Sequence, residues 1–187
     1  MSNILELPTV RQRIAHISVD TYHALSAQGL LDERTELLRG IIVEKMTKSP
    51  LHEYLANRIF ELARGAAGPD RTVRKEGPLT LVDSEPEPDV AVVAGRPEAF
   101  RDAHPSTALL AVEISVSTED VDREKIAMYA EAGVAEFWLV LPDSRSIEAF
   151  SRPEASTYRT RRIVGPGETL GSATLPALQV NVDVLFG

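Results

Sequence analysis

Two acidic residues lie at the ends of two apolar segments in the middle of the chain. Asp89 follows Pro88 and opens the apolar run 90–93, and Glu113 lies near the end of the apolar run 108–114. A carboxylate in such surroundings is costly to bury unless it is paired or binds a cation. If the two runs pair as antiparallel strands, Asp89 and Glu113 come together at one end of a sheet.

A lysine adds a positively charged amine to this pair of carboxylates. Lys125 lies one position before the apolar face of the helix predicted after Glu113, from where its amine can reach back over the strand end. Converging carboxylates bind Mg²⁺ or Mn²⁺ through oxygen and leave positions for water and a substrate phosphate. The metal lowers the pKa of a bound water, and a lysine orients that water or stabilises the transition state. Asp89, Glu113 and Lys125 are therefore residue types that metal-assisted phosphodiester hydrolysis uses.

The composition is typical of a soluble globular protein. The 187 residues are 43% hydrophobic and 26% charged. A chain of this length is expected to form one domain with short appendages. Because the start of the chain shows no sustained periodicity, we expect an N-terminal arm over residues 1–18 and a single domain over residues 19–187. No apolar run reaches the roughly 18 residues of a membrane span. The chain has no cysteine, which excludes disulfides, cysteine-ligated zinc and a thiol nucleophile and fits a cytoplasmic protein.

The charge balance is acidic. The net charge is −8, from 20 Lys and Arg against 28 Asp and Glu. This average argues against a nucleic-acid partner, because contacts to phosphates require positive charge. A metal-dependent site supplies its own cations and needs a local excess of carboxylates, so the charge does not exclude such a partner.

The first half of the chain predicts a helix, a hairpin and a second helix. Ser18 is a candidate N-cap for the first helix. The stretch 35–46 has two apolar runs around Gly40, which predicts a tight hairpin with a positive φ at that glycine. Pro50 opens a second amphipathic helix, which the glycines at 65–68 end.

The second half predicts strands that enclose a helix. The segment 108–141 alternates strand, helix and strand, with a helix-start signature at Ser117 and Asp120, and predicts a parallel pair. An antiparallel hairpin is expected over 146–164. The fold class is therefore α/β, a mixed sheet flanked by helices, with an N-terminal helix and hairpin extension and C-terminal antiparallel strands.

Four segments together resemble a known bacterial family. They are PEPDVAVV (86–93), LLAVEIS (109–115), DREKIAMYAEAGVAEFWLVLPDSRSIEAF (122–150) and, more weakly, ELLRGIIVEKMTKSPLHEYLANRI (36–59). The chain is similar over about residues 19–186 to the bacterial putative restriction endonuclease family, formerly a domain of unknown function, of the PD-(D/E)XK nuclease superfamily. The resemblance implies a restriction-endonuclease-like fold and a Mg²⁺ cofactor, for which Mn²⁺ can substitute.

The resemblance also assigns roles to the acidic residues and the lysine. Asp89 would be the Asp of the PD motif, and Glu113 the acidic residue of the second motif. Ser115 stands where the superfamily has its lysine, and the lysine of this family lies in the next helix, at Lys125.

Two further residues match the family. Glu36 matches the Glu of an early Glu-Leu-x-x-Gly motif, although Thr35 and Arg39 replace the Tyr and Asp often found beside it. It would join Asp89 and Glu113 as a metal ligand. His52 matches a His at the start of the first core helix and would face the scissile phosphate.

Each of these residues also has a structural alternative. Asp89 would merely accept backbone N–H groups at a strand end, and Glu113 would form a core ion pair. Lys125 would lie on the solvated edge of its helix. Glu36 would be a surface charge of the hairpin, and His52 would cap or stack within the first helical turn.

Three functions follow from these alternatives. The first is a Mg²⁺-dependent endonuclease acting on DNA, as a homodimer or higher homo-oligomer because cutting two strands needs two sites. The second is an inactive nuclease fold that binds nucleic acid or serves as an accessory protein. The third, an acid–base hydrolase of glycosides using Asp89 and Glu113, is least favoured because aromatic residues make up only 5% of the chain.

Overall fold

The computed structural model describes residue 4, residues 7–32 and residues 34–187 of the chain. No helix within these residues is long and apolar enough to cross a membrane. In chain order, the described elements are α1 (Pro8–Arg11), α2 (Val19–Ala27), β1 (Thr35–Leu38), β2 (Ile41–Glu44), α3 (Pro50–Ala67), β3 (Arg71–Lys75), β4 (Val90–Ala94), a 3₁₀ turn (Pro97–Phe100), β5 (Leu110–Ile114), α4 (Glu119–Glu131), β6 (Glu136–Leu141), β7 (Ser146–Glu154), β8 (Thr157–Val164), β9 (Thr169–Gly171), β10 (Gln179–Asn181) and α5 (Val182–Phe186).

A six-stranded mixed sheet with the order β3-β4-β5-β6-β7-β8 forms the centre of the fold. β5 and β6 are parallel, and each other neighbouring pair in this sheet is antiparallel. Both strands of the parallel pair are buried along their whole length, as their nearly unbroken apolar sequences predict for strands covered on both faces. The predicted α/β class, with a mixed sheet, flanking helices and C-terminal antiparallel strands, is confirmed.

The side chains of β5 alternate between two hydrophobic cores. Val112 and Ile114 pack in one core with α3 and with β9, β10 and α5. Ala111 packs in the other core with Tyr129 of α4. Glu113 is two residues from Ala111 and therefore lies on the α4 side of the sheet.

The hairpin of β1 and β2, which carries Glu36, is separate from the main sheet. Its turn residues Arg39 and Gly40 have φ values of 52° and 75°, as the mirror-image turn of a tight hairpin requires. The predicted positive φ at Gly40 is confirmed. A bridge between Leu37 and Glu85 ties the hairpin to the segment that leads into β4.

Three details differ from the sequence predictions. The N-terminal arm contains the short helix α1. α3 continues through Gly65, because its last turn still packs an apolar face against the sheet, and it ends at Ala67 with Gly68, the second glycine expected to end it, as its C-cap. α4 begins after Thr118. Ser117 does not cap it, and the Thr118 hydroxyl donates a hydrogen bond to Asp122 one turn later.

Alanine at Gly40 should destabilise the fold more than alanine at Gly29. Both glycines have a positive φ, but a Cβ at Gly40 would lie 2.7 Å from Cβ of His16 and 2.9 Å from the Ile17 carbonyl oxygen, whereas a Cβ at Gly29 would meet nothing within 4 Å. We expect the free energy of unfolding to fall by about 1 kcal/mol in Gly29→Ala and by about 2–3 kcal/mol in Gly40→Ala. Urea titration measures both, and equal losses would contradict the predicted clash.

Candidate active site

Asp89 and Glu113 meet at one end of the β4–β5 pair. Val90 lies opposite Val112 in the antiparallel register, so the residues next to this pair, Asp89 and Glu113, lie on neighbouring strand ends. The backbone N–H of Ile114 donates a hydrogen bond of 2.8 Å to Oδ2 of Asp89. The juxtaposition predicted from the two apolar runs is confirmed.

Glu113 is buried against α4, with 3% of its surface exposed. The Tyr129 hydroxyl donates a hydrogen bond of 2.7 Å to Oε1 of Glu113, and Nζ of Lys125 lies 3.1 Å from the same oxygen. Lys125 and Tyr129 are one helical turn apart, so a single face of α4 presents both groups. Burial raises the pKa of Glu113 well above its ordinary value, Lys125 opposes this shift, and neighbouring carboxylates add to it.

Lys125 is buried among three carboxylates. Its Nζ lies 3.1 Å from Oε2 of Glu36, 3.1 Å from Oε1 of Glu113 and 3.8 Å from Oδ1 of Asp122. Burial alone would lower the pKa of Lys125, but the carboxylates outweigh it and raise the pKa above its ordinary value. Lys125 therefore carries a positive charge, and the interpretation as a solvated helix edge is wrong.

Glu36 joins the same cluster from the hairpin. Its side chain is buried, its Oε1 accepts a hydrogen bond of 2.7 Å from the backbone N–H of Glu87, and its Oε2 contacts Lys125. The hairpin is held in this position by the bridge to the segment before β4. The interpretation of Glu36 as a surface charge is therefore wrong.

Asp89 is contacted by the side chains of His52 and Lys48, in addition to the N–H of Ile114. Nε2 of His52 lies 3.0 Å from Oδ2, and Nζ of Lys48 lies 3.0 Å from Oδ1. Burial raises the pKa of Asp89, but His52, Lys48 and the hydrogen bond from Ile114 outweigh it, so the pKa lies below its ordinary value. Asp89 is thus an ionised carboxylate.

His52 lies in the first turn of α3 and points towards the strand ends. The N-cap of this helix is Ser49, whose hydroxyl accepts the backbone N–H of His52 at 3.2 Å. Because a carboxylate only accepts hydrogen bonds, Nε2 of His52 carries the proton shared with Asp89. His52 therefore orients Asp89, and the capping role suggested for it belongs to Ser49.

The structure adds two residues that the sequence did not assign to the site. Asp122 is buried on α4 beside Lys125, and burial raises its pKa while Lys125 opposes the rise. Opposite charges three residues apart on a helix commonly form a surface pair, and only the burial of Asp122 shows that it belongs to the site. Lys48 lies in the loop between β2 and α3, where no sequence pattern predicts contact with Asp89.

The alternating acids of the segment before β4 do not share one environment. Glu87 forms an ion pair of 2.6 Å with Lys45 at the edge of the site. Glu85 is turned to the other side, where it contacts His23 at 2.7 Å and the Thr80 hydroxyl at 2.8 Å. Glu85 and Glu87 therefore do not form a single acidic face with Asp89.

All five residues predicted from the sequence line one cleft, of about 410 Å³. It is formed by the strand ends, the first turns of α3 and α4, and the loop after β2. The volume admits a hydrated cation and a phosphate group, since one water molecule occupies roughly 30 Å³. The predicted residues in its lining are Glu36, His52, Asp89, Glu113 and Lys125.

The donor set suits a hard divalent cation. Mg²⁺ takes carboxylate oxygens and commonly binds through one or two carboxylates while it keeps several waters, and Asp89 and Glu113 are two such groups in one cleft. Among the described residues, no three His, Asp or Glu side chains are grouped around one ion position. Lysine ammonium groups compensate the carboxylates instead.

Comparisons with known proteins identify the family of this chain and a structure with a similar fold. Residues 19–183 match the model of the Uma2 family, described as "Putative restriction endonuclease". The structure is similar to the crystal structure of a putative nuclease belonging to DUF820 from Anabaena variabilis ATCC 29413, with a TM-score of 0.75 and 18% identity over 91% of this chain and 97% of that chain. At this identity the likeness shows a shared fold. No curated protein matches the sequence. The chain belongs to the Uma2 family of putative restriction endonucleases.

Proposed function

We propose that this protein is a Mg²⁺-dependent endonuclease that hydrolyses phosphodiester bonds of DNA with water. The observation that carries the proposal is the meeting of Asp89 and Glu113 in one cleft, with the ammonium of Lys125 3.1 Å from Glu113. Membership of a family of putative restriction endonucleases supports the same class of reaction.

Asp89 and Glu113 would hold the metal, with Glu36 as an additional carboxylate close to it. Bound Mg²⁺ would lower the pKa of the attacking water and neutralise charge that develops on the phosphate. Mn²⁺ should substitute, because it accepts the same oxygen donors. His52 keeps Asp89 ionised and oriented through the contact to Oδ2.

Lys125 acts in this proposal as a fixed positive charge and not as a base. The carboxylates around it raise its pKa, so the amine keeps its proton and can only donate hydrogen bonds. It can orient the attacking water or stabilise the negative charge of the transition state. Tyr129 fixes the direction of the Glu113 carboxylate by its hydrogen bond to Oε1.

Cutting both strands of a duplex would require two such sites. A symmetric homodimer or higher homo-oligomer supplies them most simply, and we propose that the protein acts in this form. The oligomeric mass in solution, measured by light scattering, tests this part of the proposal.

One observation favours a second candidate, a nuclease fold that binds nucleic acid without cleaving it. Among the described residues the acids of the cleft are paired with lysines, and no three of them are grouped around one ion position. A protein of this kind would bind DNA with an affinity that does not depend on Mg²⁺, and it would leave the DNA intact.

Removal of either strand-end carboxylate should abolish cleavage. In Asp89→Asn and Glu113→Gln the shape of the side chain is kept while a negatively charged oxygen donor is lost, so we expect the rate to fall by at least about 100-fold. Nicking and linearisation of supercoiled plasmid in Mg²⁺ or Mn²⁺ measure this rate.

Glu85→Gln is the matched control for these variants. Glu85 is buried in the segment that leads to Asp89, but it lies outside the cleft and contacts His23 and Thr80. Its substitution should leave cleavage within about threefold of the unchanged protein. Full activity in Asp89→Asn and Glu113→Gln would overturn the proposed mechanism, and DNA binding without cleavage by the unchanged protein would favour the second candidate.

Loss of the Lys125 charge should destabilise the fold in a way that depends on pH and on divalent ions. Lys125→Met leaves three buried carboxylates without their cation, and we expect unfolding free energy to fall by about 3–5 kcal/mol in EDTA. Carboxylates with a raised pKa favour folding at low pH and oppose it as pH rises through the raised value. The loss should therefore be smaller near pH 5 than near pH 8, and Mn²⁺ should partly reverse it.

Arg123→Met on the same helix is the control for this experiment. Arg123 is partly exposed, and its partner Glu148 keeps a second ion pair with Arg161, so the loss should be about 1 kcal/mol or less. Denaturant unfolding near pH 5 and near pH 8, each with and without Mn²⁺, measures the free energy of unfolding of both variants. A loss in Lys125→Met that is independent of pH and of Mn²⁺ would contradict this electrostatic account.

A further inference from the structure

The two oxygens of the Asp89 carboxylate have different partners. Oδ2 accepts hydrogen bonds from the backbone N–H of Ile114 and from Nε2 of His52, at 2.8 and 3.0 Å. Oδ1 faces Nζ of Lys48 at 3.0 Å. Oδ1 is therefore the oxygen that a metal ion would use, and a lysine ammonium lies against it.

A divalent ion and this ammonium cannot share the same oxygen at close range. Mg²⁺ binds carboxylate oxygen at about 2.0–2.1 Å, and an ammonium at hydrogen-bond distance from that oxygen would be strongly repelled by the ion. Metal binding to Asp89 therefore requires the Lys48 amine to move away.

The surroundings of Lys48 allow this movement. Its side chain is 29% exposed, against 7% for Asp89, so it approaches the carboxylate from the solvent side. Its amine also lies 3.2 Å from Oε1 of Glu76, a partly exposed group that can hold it after release. Lys48 lies in the loop between β2 and α3, and its long unbranched side chain has several rotatable bonds.

Lys125 differs from Lys48 in each of these respects. It is 6% exposed at its side chain and is enclosed by three carboxylates, so it has no solvent-side position to move to. Of these two lysines, Lys125 is thus fixed, and Lys48 is free to exchange.

We propose that Lys48 is an exchangeable counter-ion of the site. Its amine contacts Oδ1 of Asp89 until a divalent ion displaces it, and the displaced amine then binds a phosphate of the nucleic acid. The inference rests on the proposed function, because it requires that metal and DNA bind in this cleft. Released Lys48 stays in the lining of the cleft beside Lys45, where a positive charge faces an incoming phosphate.

Titration with Mn²⁺ alone, without DNA, tests the exchange. Isothermal titration calorimetry of Lys48→Met should give an affinity about tenfold higher than that of the unchanged protein, because the ion no longer competes with the ammonium. Lys45→Met is the matched control. Lys45 lies in the same cleft but is paired with Glu87, so its loss should raise the affinity by less than about threefold. Lys48→Gln should behave as Lys48→Met does, and urea unfolding confirms that each variant folds.

Duplex binding tests the contact to phosphate. With Glu113 intact and a phosphorothioate duplex that resists cleavage, Lys48→Met should weaken DNA binding in Mn²⁺ and should lower the slope of the salt dependence by the value expected for about one phosphate contact. An unchanged salt dependence would overturn the assignment of Lys48 to the phosphate.

The outcomes separate this inference from the proposed function. Failure of the unchanged protein to bind Mn²⁺, or binding that survives in Asp89→Asn without loss of affinity, would overturn the proposed metal site and the exchange with it. In another outcome, the unchanged protein binds Mn²⁺ and Asp89→Asn does not, but Lys48→Met binds Mn²⁺ with the same affinity as the unchanged protein. This outcome would overturn the exchange alone.

Discussion

The site depends on the burial of three carboxylates around the single ammonium of Lys125. Glu36, Glu113 and Asp122 come from a hairpin, a central strand and a helix, and each is at most 6% exposed. Removing such groups from water is costly, and the cost must be compensated by close opposite charge or by hydrogen bonds. Lys125 supplies one positive charge for three acids, so the cluster joins the three elements at one point and still leaves negative charge that a further cation can neutralise.

Buried acids elsewhere in the fold are compensated differently, and this difference distinguishes the carboxylates around Lys125 from ordinary buried acids. Glu136 accepts hydrogen bonds from the Trp138 indole, from the Ser172 hydroxyl and from backbone N–H groups of the loop before β10. Glu148 is paired with two arginines. These two acids have as many donors as they need and require no ion. The carboxylates around Lys125 outnumber their cation, and this imbalance is the physical reason to connect the cleft with metal chemistry.

The parts of the site that follow from periodicity could be predicted from the sequence. Apolar runs beside Asp89 and Glu113 predicted two neighbouring strands, and the helical period placed Lys125 over the strand end, as the register and the contact of 3.1 Å confirm. Glu36 and His52 carried no such signal and were found through the family resemblance. Lys48 and Asp122 were missed because their roles depend on the path of a loop and on burial, neither of which a local pattern encodes. The passage of α3 through Gly65 was missed for a related reason, since tertiary packing outweighed a local helix-breaking residue.

The distribution of charge, and not its sum, decides whether an acidic protein can bind a polyanion. The net charge of −8 includes many exposed acids far from the cleft, whose fields are screened within about 8–10 Å at physiological salt. Within the cleft, Lys45, Lys48 and Lys125 lie beside the acids that would hold a metal. The lining of the cleft has seven acids against four lysine and arginine residues, so a divalent ion bound there would offset most of the local excess of negative charge where the phosphate of the proposed substrate would approach. The same acids that make the whole chain negative would then be the groups that attract the cation on which phosphate binding depends.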